Sequence, residues 1–121
     1  MEKIKSYVKA KTEKYLDIHD EYQDLLQYGE FDSFLSTTAE RHYKNEKMLE
    51  FFRNLNTSIG GVTKEELVDY LETNKKRYVK ARLQNNPVNF STNPMANLMR
   101  LWDFEFYGDM IKEIDILLSK C

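Results

Sequence analysis

The stretch EKIKSYVKAKTEKYLDIHDEYQDLLQY, residues 2–28, decides the fold. Within it Ile4, Val8, Lys11, Tyr15, Ile18, Tyr22 and Leu25 recur at 4-3-4-3-4-3 spacing. That is the period with which one face of an α-helix returns to the same side. Only Lys11 interrupts the apolar seam. No Gly or Pro falls between residues 2 and 28, and Gly29 supplies a helix stop. The spacing therefore predicts an unbroken helix over about 2–28, a rod of roughly 40 Å at about 1.5 Å per residue.

Outward from this rod, the chain reads as three further helices. Residues 29–36 form a connector that offers Phe31, Phe34 and Leu35 for burial. Thr37-Thr38-Ala39-Glu40 has the spacing of a capping box, and opens a helix expected over about 38–56. Its second half is apolar (Met48, Leu49, Phe51, Phe52, Leu55), and Gly60-Gly61 ends it. Thr63-Lys64-Glu65-Glu66 is a second capping box, with Val62 placed to staple against Leu67. The helix it starts carries Leu67, Leu71, Asn74, Tyr78 and Ala81 at 4-3-4-3 spacing and runs over about 64–84. After a polar loop, Asn93-Pro94 gives a cap followed by a proline at the first helical position, where its missing N–H costs nothing. The last helix is expected over about 94–119, with Gly108 as its weak point. Alternation of Trp102, Phe104 and Phe106 with Asp103, Glu105 and Tyr107 leaves a strand as the competing reading there; the helical spacing on both sides outweighs it.

The expectation is a single helical domain over 1–121, all-α, arranged as an antiparallel four-helix bundle with a long N-terminal and a long C-terminal helix. In such a bundle the first and third helices run parallel. A chain of 121 residues with 16 aromatic side chains can close one core. Eighteen basic against 20 acidic residues leave a net charge of −2, so no global field selects polyanions or acidic membranes. One cysteine, Cys121, excludes an internal disulfide and fits a reducing compartment. The opening residues are charged throughout, and no apolar run reaches membrane-spanning length. These readings place the chain in a cytoplasm. Thirteen Lys against five Arg, with nine Asn and eight Tyr, is the composition of an AT-rich coding sequence, and points to a low-GC bacterium or its phage.

Two features stand out against this frame. The last helix has two apolar faces: one of Met95, Leu98, Met99, Trp102, Phe106, Met110 and Leu117, the other of Phe104, Tyr107, Ile111, Ile114 and Leu118. A surface helix needs one apolar stripe about 100° wide. Either this helix packs on both sides within its own core, or Phe104, Tyr107, Ile111 and Leu118 dock another protein or a second copy. Charge is also segregated. Residues 17–32 hold Asp17, Asp20, Glu21, Asp24, Glu30 and Asp32 without a cation, and residues 75–82 hold Lys75, Lys76, Arg77, Lys80 and Arg82 without an anion. The blocks compensate each other if they fall at the same end of a bundle. Yet carboxylates in the second half of a helix oppose its dipole, so Asp17, Asp20, Glu21 and Asp24 are also candidates for steering a basic partner.

Catalytic chemistry finds no footing. Cys121 has no scaffold beside it, and neither a phosphate-binding glycine loop nor a nucleophile elbow occurs. His19 has no carboxylate at ligand spacing on its own helix, and His42 has only Glu46, half a metal site. No catalytic residue, metal, cofactor, small-molecule substrate or membrane association is indicated. The expected function is a small non-enzymatic protein-interaction module of the kind represented by regulators, immunity proteins and phage inhibitors. The alternative is a nucleic-acid-associated accessory protein using Lys76, Arg77, Lys80 and Arg82 as phosphate contacts.

Overall fold

The computed structural model describes residues 1–28, 37–86 and 93–121. The side chains of residues 25–28, 37 and 38 fall outside the description, as do the connector with Phe31, Phe34 and Leu35 and the loop segment 87–92. The chain is all-α. Its helices are α1 (Glu2–Tyr28), α2 (Thr37–Ser58), α3 (Lys64–Gln84) and α4 (Pro94–Ser119), and a short 3-10 turn (Ile59–Gly61) follows α2. No strand occurs among the described residues, and residues 102–107 are helical. The chain divides into two compact units, one built on α1 and α2 and the other on residues 62–121.

In the first unit the contacts run antiparallel. Tyr7 meets Phe52, Tyr15 meets Phe52 and Asn45, and Tyr22 stacks on His42. Ile4, Val8 and Tyr22 of the α1 seam are buried, together with Met48, Leu49, Phe51, Phe52 and Leu55 of α2. Lys11 holds its place in the seam because its ammonium lies 5.5 Å from the Tyr7 ring centre and 5.9 Å from that of Tyr15. Aromatic faces replace part of the water the ammonium gives up. The Thr12 hydroxyl lies 2.7 Å from the Val8 carbonyl and 3.2 Å from that of Phe52.

α2 departs from its expected bounds at both ends. Thr37, expected as the cap, is already helical, and its side chain lies outside the described residues. Glu40 pairs with Lys44 at 3.2 Å. At the far end the helix continues past residue 56 to Ser58, and there Thr57 and Ser58 donate their hydroxyls to the carbonyls of Arg53 (2.9 Å) and Asn54 (3.0 Å). Such back-bonding satisfies the hydroxyls within the helix itself. Ile59, in the turn that follows, is buried.

The second unit begins on the capping box read from the sequence. The Glu66 N–H donates to Thr63 Oγ1 at 3.1 Å, and the Thr63 N–H donates to the Glu66 carboxylate at 3.2 Å. At α4, Asn93 Oδ1 accepts from the N–H groups of Met95 and Ala96, with Pro94 at the first helical position. α3 and α4 are antiparallel. Lys75 pairs with Asp115, Tyr78 lies against Phe106 and Tyr107, and Arg82 lies over Phe104. Leu67 and Leu71 of α3 and Phe106, Met110, Ile114 and Leu117 of α4 are buried. Asn74, buried in the α3 seam, satisfies its amide by donating to the Tyr70 carbonyl at 2.8 Å.

Candidate functional site

The residues that bury α3 against α4 leave another part of α3 uncovered. Val79 and Leu83, one turn apart, keep 41% and 65% of their surface exposed. With Leu118 of α4 they form the apolar part of an open groove of about 640 Å³. Lys75, Lys76 and Lys80 stand around it, with Glu72 its one carboxylate among the described residues. Lys75 is engaged, its ammonium 2.6 Å from Asp115. Lys76 and Lys80, themselves one turn apart and exposed, form no ion pair among the described residues. The result is an apolar strip edged by two available cations. Long lysine stems extend the apolar area while the ammonium groups stay in water.

The basic residues expected to act together therefore divide. Lys76, Arg77 and Lys80 are exposed. Arg82 is drawn onto α4, its guanidinium carbon 4.3 Å from the centre of the Phe104 ring. Gly108 makes room for it: a Cβ there would sit 3.3 Å from Arg82 Nε.

The second apolar face of α4 also divides. Ile114 is fully buried, whereas Phe104, Tyr107, Ile111 and Leu118 are half-buried. Phe104 receives Arg82, and Tyr107 packs at 5.7 Å from Tyr78. These two are engaged with α3 of the same unit. Leu118 lines the groove. Val79 and Leu83 escaped the sequence reading because they lie off the Leu67–Ala81 seam; the available signal was an i, i+4 apolar pair interleaved with an i, i+4 lysine pair.

On α1, Asp17, Asp20, Glu21 and Asp24 are all exposed and form no ion pair among the described residues. Leu16 beside them keeps 37% of its surface exposed.

A third cluster lies between α1 and α2. Glu46 hydrogen-bonds His19 of α1, where the sequence had paired it with His42 of its own helix. Spacing along one helix shows only partners on that helix, and the carboxylate found its closer partner across the pair. His42 Nδ1 lies 3.7 Å from Glu46, beyond hydrogen-bond range, and is buried without a hydrogen-bond partner among the described residues. Its ring stacks on Tyr22 at 3.6 Å between centres and 11° between planes. Burial pushes the His42 pKa down from the ordinary histidine value; Glu46 opposes that shift and His19 adds to it. Burial likewise pushes the Tyr22 phenol up. No group of three His, Cys, Asp or Glu among the described residues is placed to hold a metal ion, and no helix among them is long and apolar enough to cross a membrane.

No family model, curated protein or solved structure matches the chain.

Proposed function

We propose that this chain is a cytoplasmic, non-enzymatic protein-interaction module whose docking surface is the α3–α4 groove, and that its occupant is an amphipathic helix with acidic flanks. One observation carries the reading: Val79 and Leu83 lie exposed in a shared groove with Leu118, bordered by Lys76 and Lys80, which have no ion-pair partner among the described residues. Apolar side chains scattered singly over a surface need no explanation. Three lining one groove, with cations at its edge, offer both parts of an interface, apolar area for affinity and charge for orientation and rate. Helix-in-groove recognition seats the apolar anchors of a docking helix against such a strip, and Val79, Leu83 and Leu118 supply one. The module acts by occupancy, so its effect on a partner is steric.

The test uses a synthetic helical peptide with a leucine stripe flanked by glutamates, and its counterpart with lysine flanks, each followed by fluorescence anisotropy. The acidic peptide binds and the basic one does not. Lys76→Glu with Lys80→Glu, and separately Leu83→Glu, each weaken binding by about tenfold or more, equivalent to about 1.4 kcal/mol. Binding of both peptides alike, or indifference to both sets of substitutions, refutes the proposal. The nucleic-acid reading of Lys76, Arg77, Lys80 and Arg82 separates cleanly. Phosphate contacts would make binding of a DNA or RNA duplex depend on the lysines and leave Leu83→Glu nearly silent.

A further inference from the structure

We infer that α1 of a second copy of this chain is an occupant of the groove, its carboxylate stripe lying along Lys76 and Lys80. The inference rests on the groove being a docking surface and adds who docks there. Its independent support is the composition of α1. Asp17, Asp20, Glu21 and Asp24 stand at i, i+3, i+4 and i+7, so they occupy one face of the helix over about 10 Å. All four are exposed and free of ion pairs among the described residues, as are Lys76 and Lys80 in the groove. Leu16, one turn before Asp20, brings an exposed apolar side chain to the edge of that stripe. The acidic face thus presents what the groove lacks, carboxylates opposite the lysines and a leucine for Val79 and Leu83.

Carboxylates in the second half of α1 work against its helix dipole, so they do nothing for the isolated helix. A net charge of only −2 leaves little long-range repulsion between copies, and local complementarity can govern the encounter. Because the two surfaces differ, each copy offers one donor and one acceptor face, and association is heterologous. The average mass in solution then rises with protein concentration. It falls as salt increases from about 0.1 to about 1 M, over which the screening length drops from about 10 to about 3 Å.

Light scattering coupled to size exclusion reads this directly. The native chain exceeds the mass of one copy at high concentration and approaches it on dilution or in high salt. Two charge-reversed chains are then made, one carrying Asp17→Lys, Asp20→Lys and Glu21→Lys, the other Lys76→Glu and Lys80→Glu. Every substituted side chain is exposed, and circular dichroism verifies that each variant remains helical. Either variant alone has the mass of one copy. An equimolar mixture associates again, because each supplies the complement that the other lost. A native chain of single-copy mass at every concentration overturns the inference, as does association that survives both reversals or fails to return in the mixture. If the native chain is monomeric while Lys76→Glu with Lys80→Glu still abolishes capture of the acidic peptide, self-docking falls and the groove reading stands.

Discussion

The Arg82 guanidinium lies over the Phe104 ring at 4.3 Å and beside Gly108, where a Cβ would approach Nε to 3.3 Å. Glycine inside a helix ordinarily costs about 1 kcal/mol relative to alanine. An exposed cation–π contact is worth about 0.5–1 kcal/mol. The two effects offset here. Gly108→Ala in the native chain therefore raises stability by clearly less than about 1 kcal/mol, and in an Arg82→Ala background by the full amount. Chemical denaturation of the four chains measures the difference. Equal gains in both backgrounds would mean that the glycine and the guanidinium are uncoupled.

His42 makes stability fall on acidification. Its folded pKa is depressed by burial, so the unfolded chain takes up a proton near the ordinary value of 6.5 while the folded chain does not. Between those two values the unfolded state binds more protons, and stability drops as pH falls through that window. Above it neither state is protonated and the stability is fully present. Urea titrations between about pH 8 and pH 5 follow the loss. His42→Phe keeps a ring against Tyr22 and removes the titrating nitrogens, so its pH slope is shallower. Parallel slopes for the two chains would assign the acid sensitivity elsewhere.

Asn45 is buried on α2 and donates its side-chain amide to the Tyr15 carbonyl of α1 at 2.9 Å. Asn45→Ala loses about 1–2 kcal/mol with this contact. Asn45→Asp is nearly the same size but turns a carboxylate toward a carbonyl oxygen. It therefore destabilises more than alanine at neutral pH, and the gap closes when the acid is protonated and can donate again. An aspartate variant as stable as the alanine one at neutral pH would contradict the buried contact.

The cap of α3 is a separable contribution. Thr63→Ala removes the acceptor of the Glu66 N–H and costs about 1 kcal/mol, whereas Thr63→Ser retains most of it. Thermal unfolding of the three chains places the native and serine chains together, with alanine below them. Serine falling level with alanine would show that the hydroxyl is not what holds the helix start.

Local rules made most of the helical framework legible. The seam of α1, the Thr63 box and the Asn93-Pro94 start each depend on residues within a few positions of one another, and α1, α3 and α4 have the extents their spacing predicts. Lys11 was legible as an exception only. Its reason, two tyrosine rings one turn away on either side, needed coordinates to show where the ammonium goes. What was illegible lies between helices. Glu46 reaches His19 from 27 positions away, and Arg82 reaches Gly108 from 26, distances over which periodicity carries no information. The groove was hidden for a related reason. Val79 and Leu83 are ordinary apolar residues off the buried seam, and only the placement of Leu118 beside them makes the three a surface.

Gly60 and Gly61 have nothing within 4 Å of a would-be Cβ, and neither has a positive φ. Their packing therefore imposes no demand for glycine, and the next helix starts on its own cap two residues later. The bond between them is a natural place to open the chain. A peptide tag, a fluorescent donor or a protease site inserted there would open only the short 3-10 turn and leave α2 and the capped start of α3 uninterrupted, making this junction the first choice for splitting the two helix pairs and asking whether each folds alone.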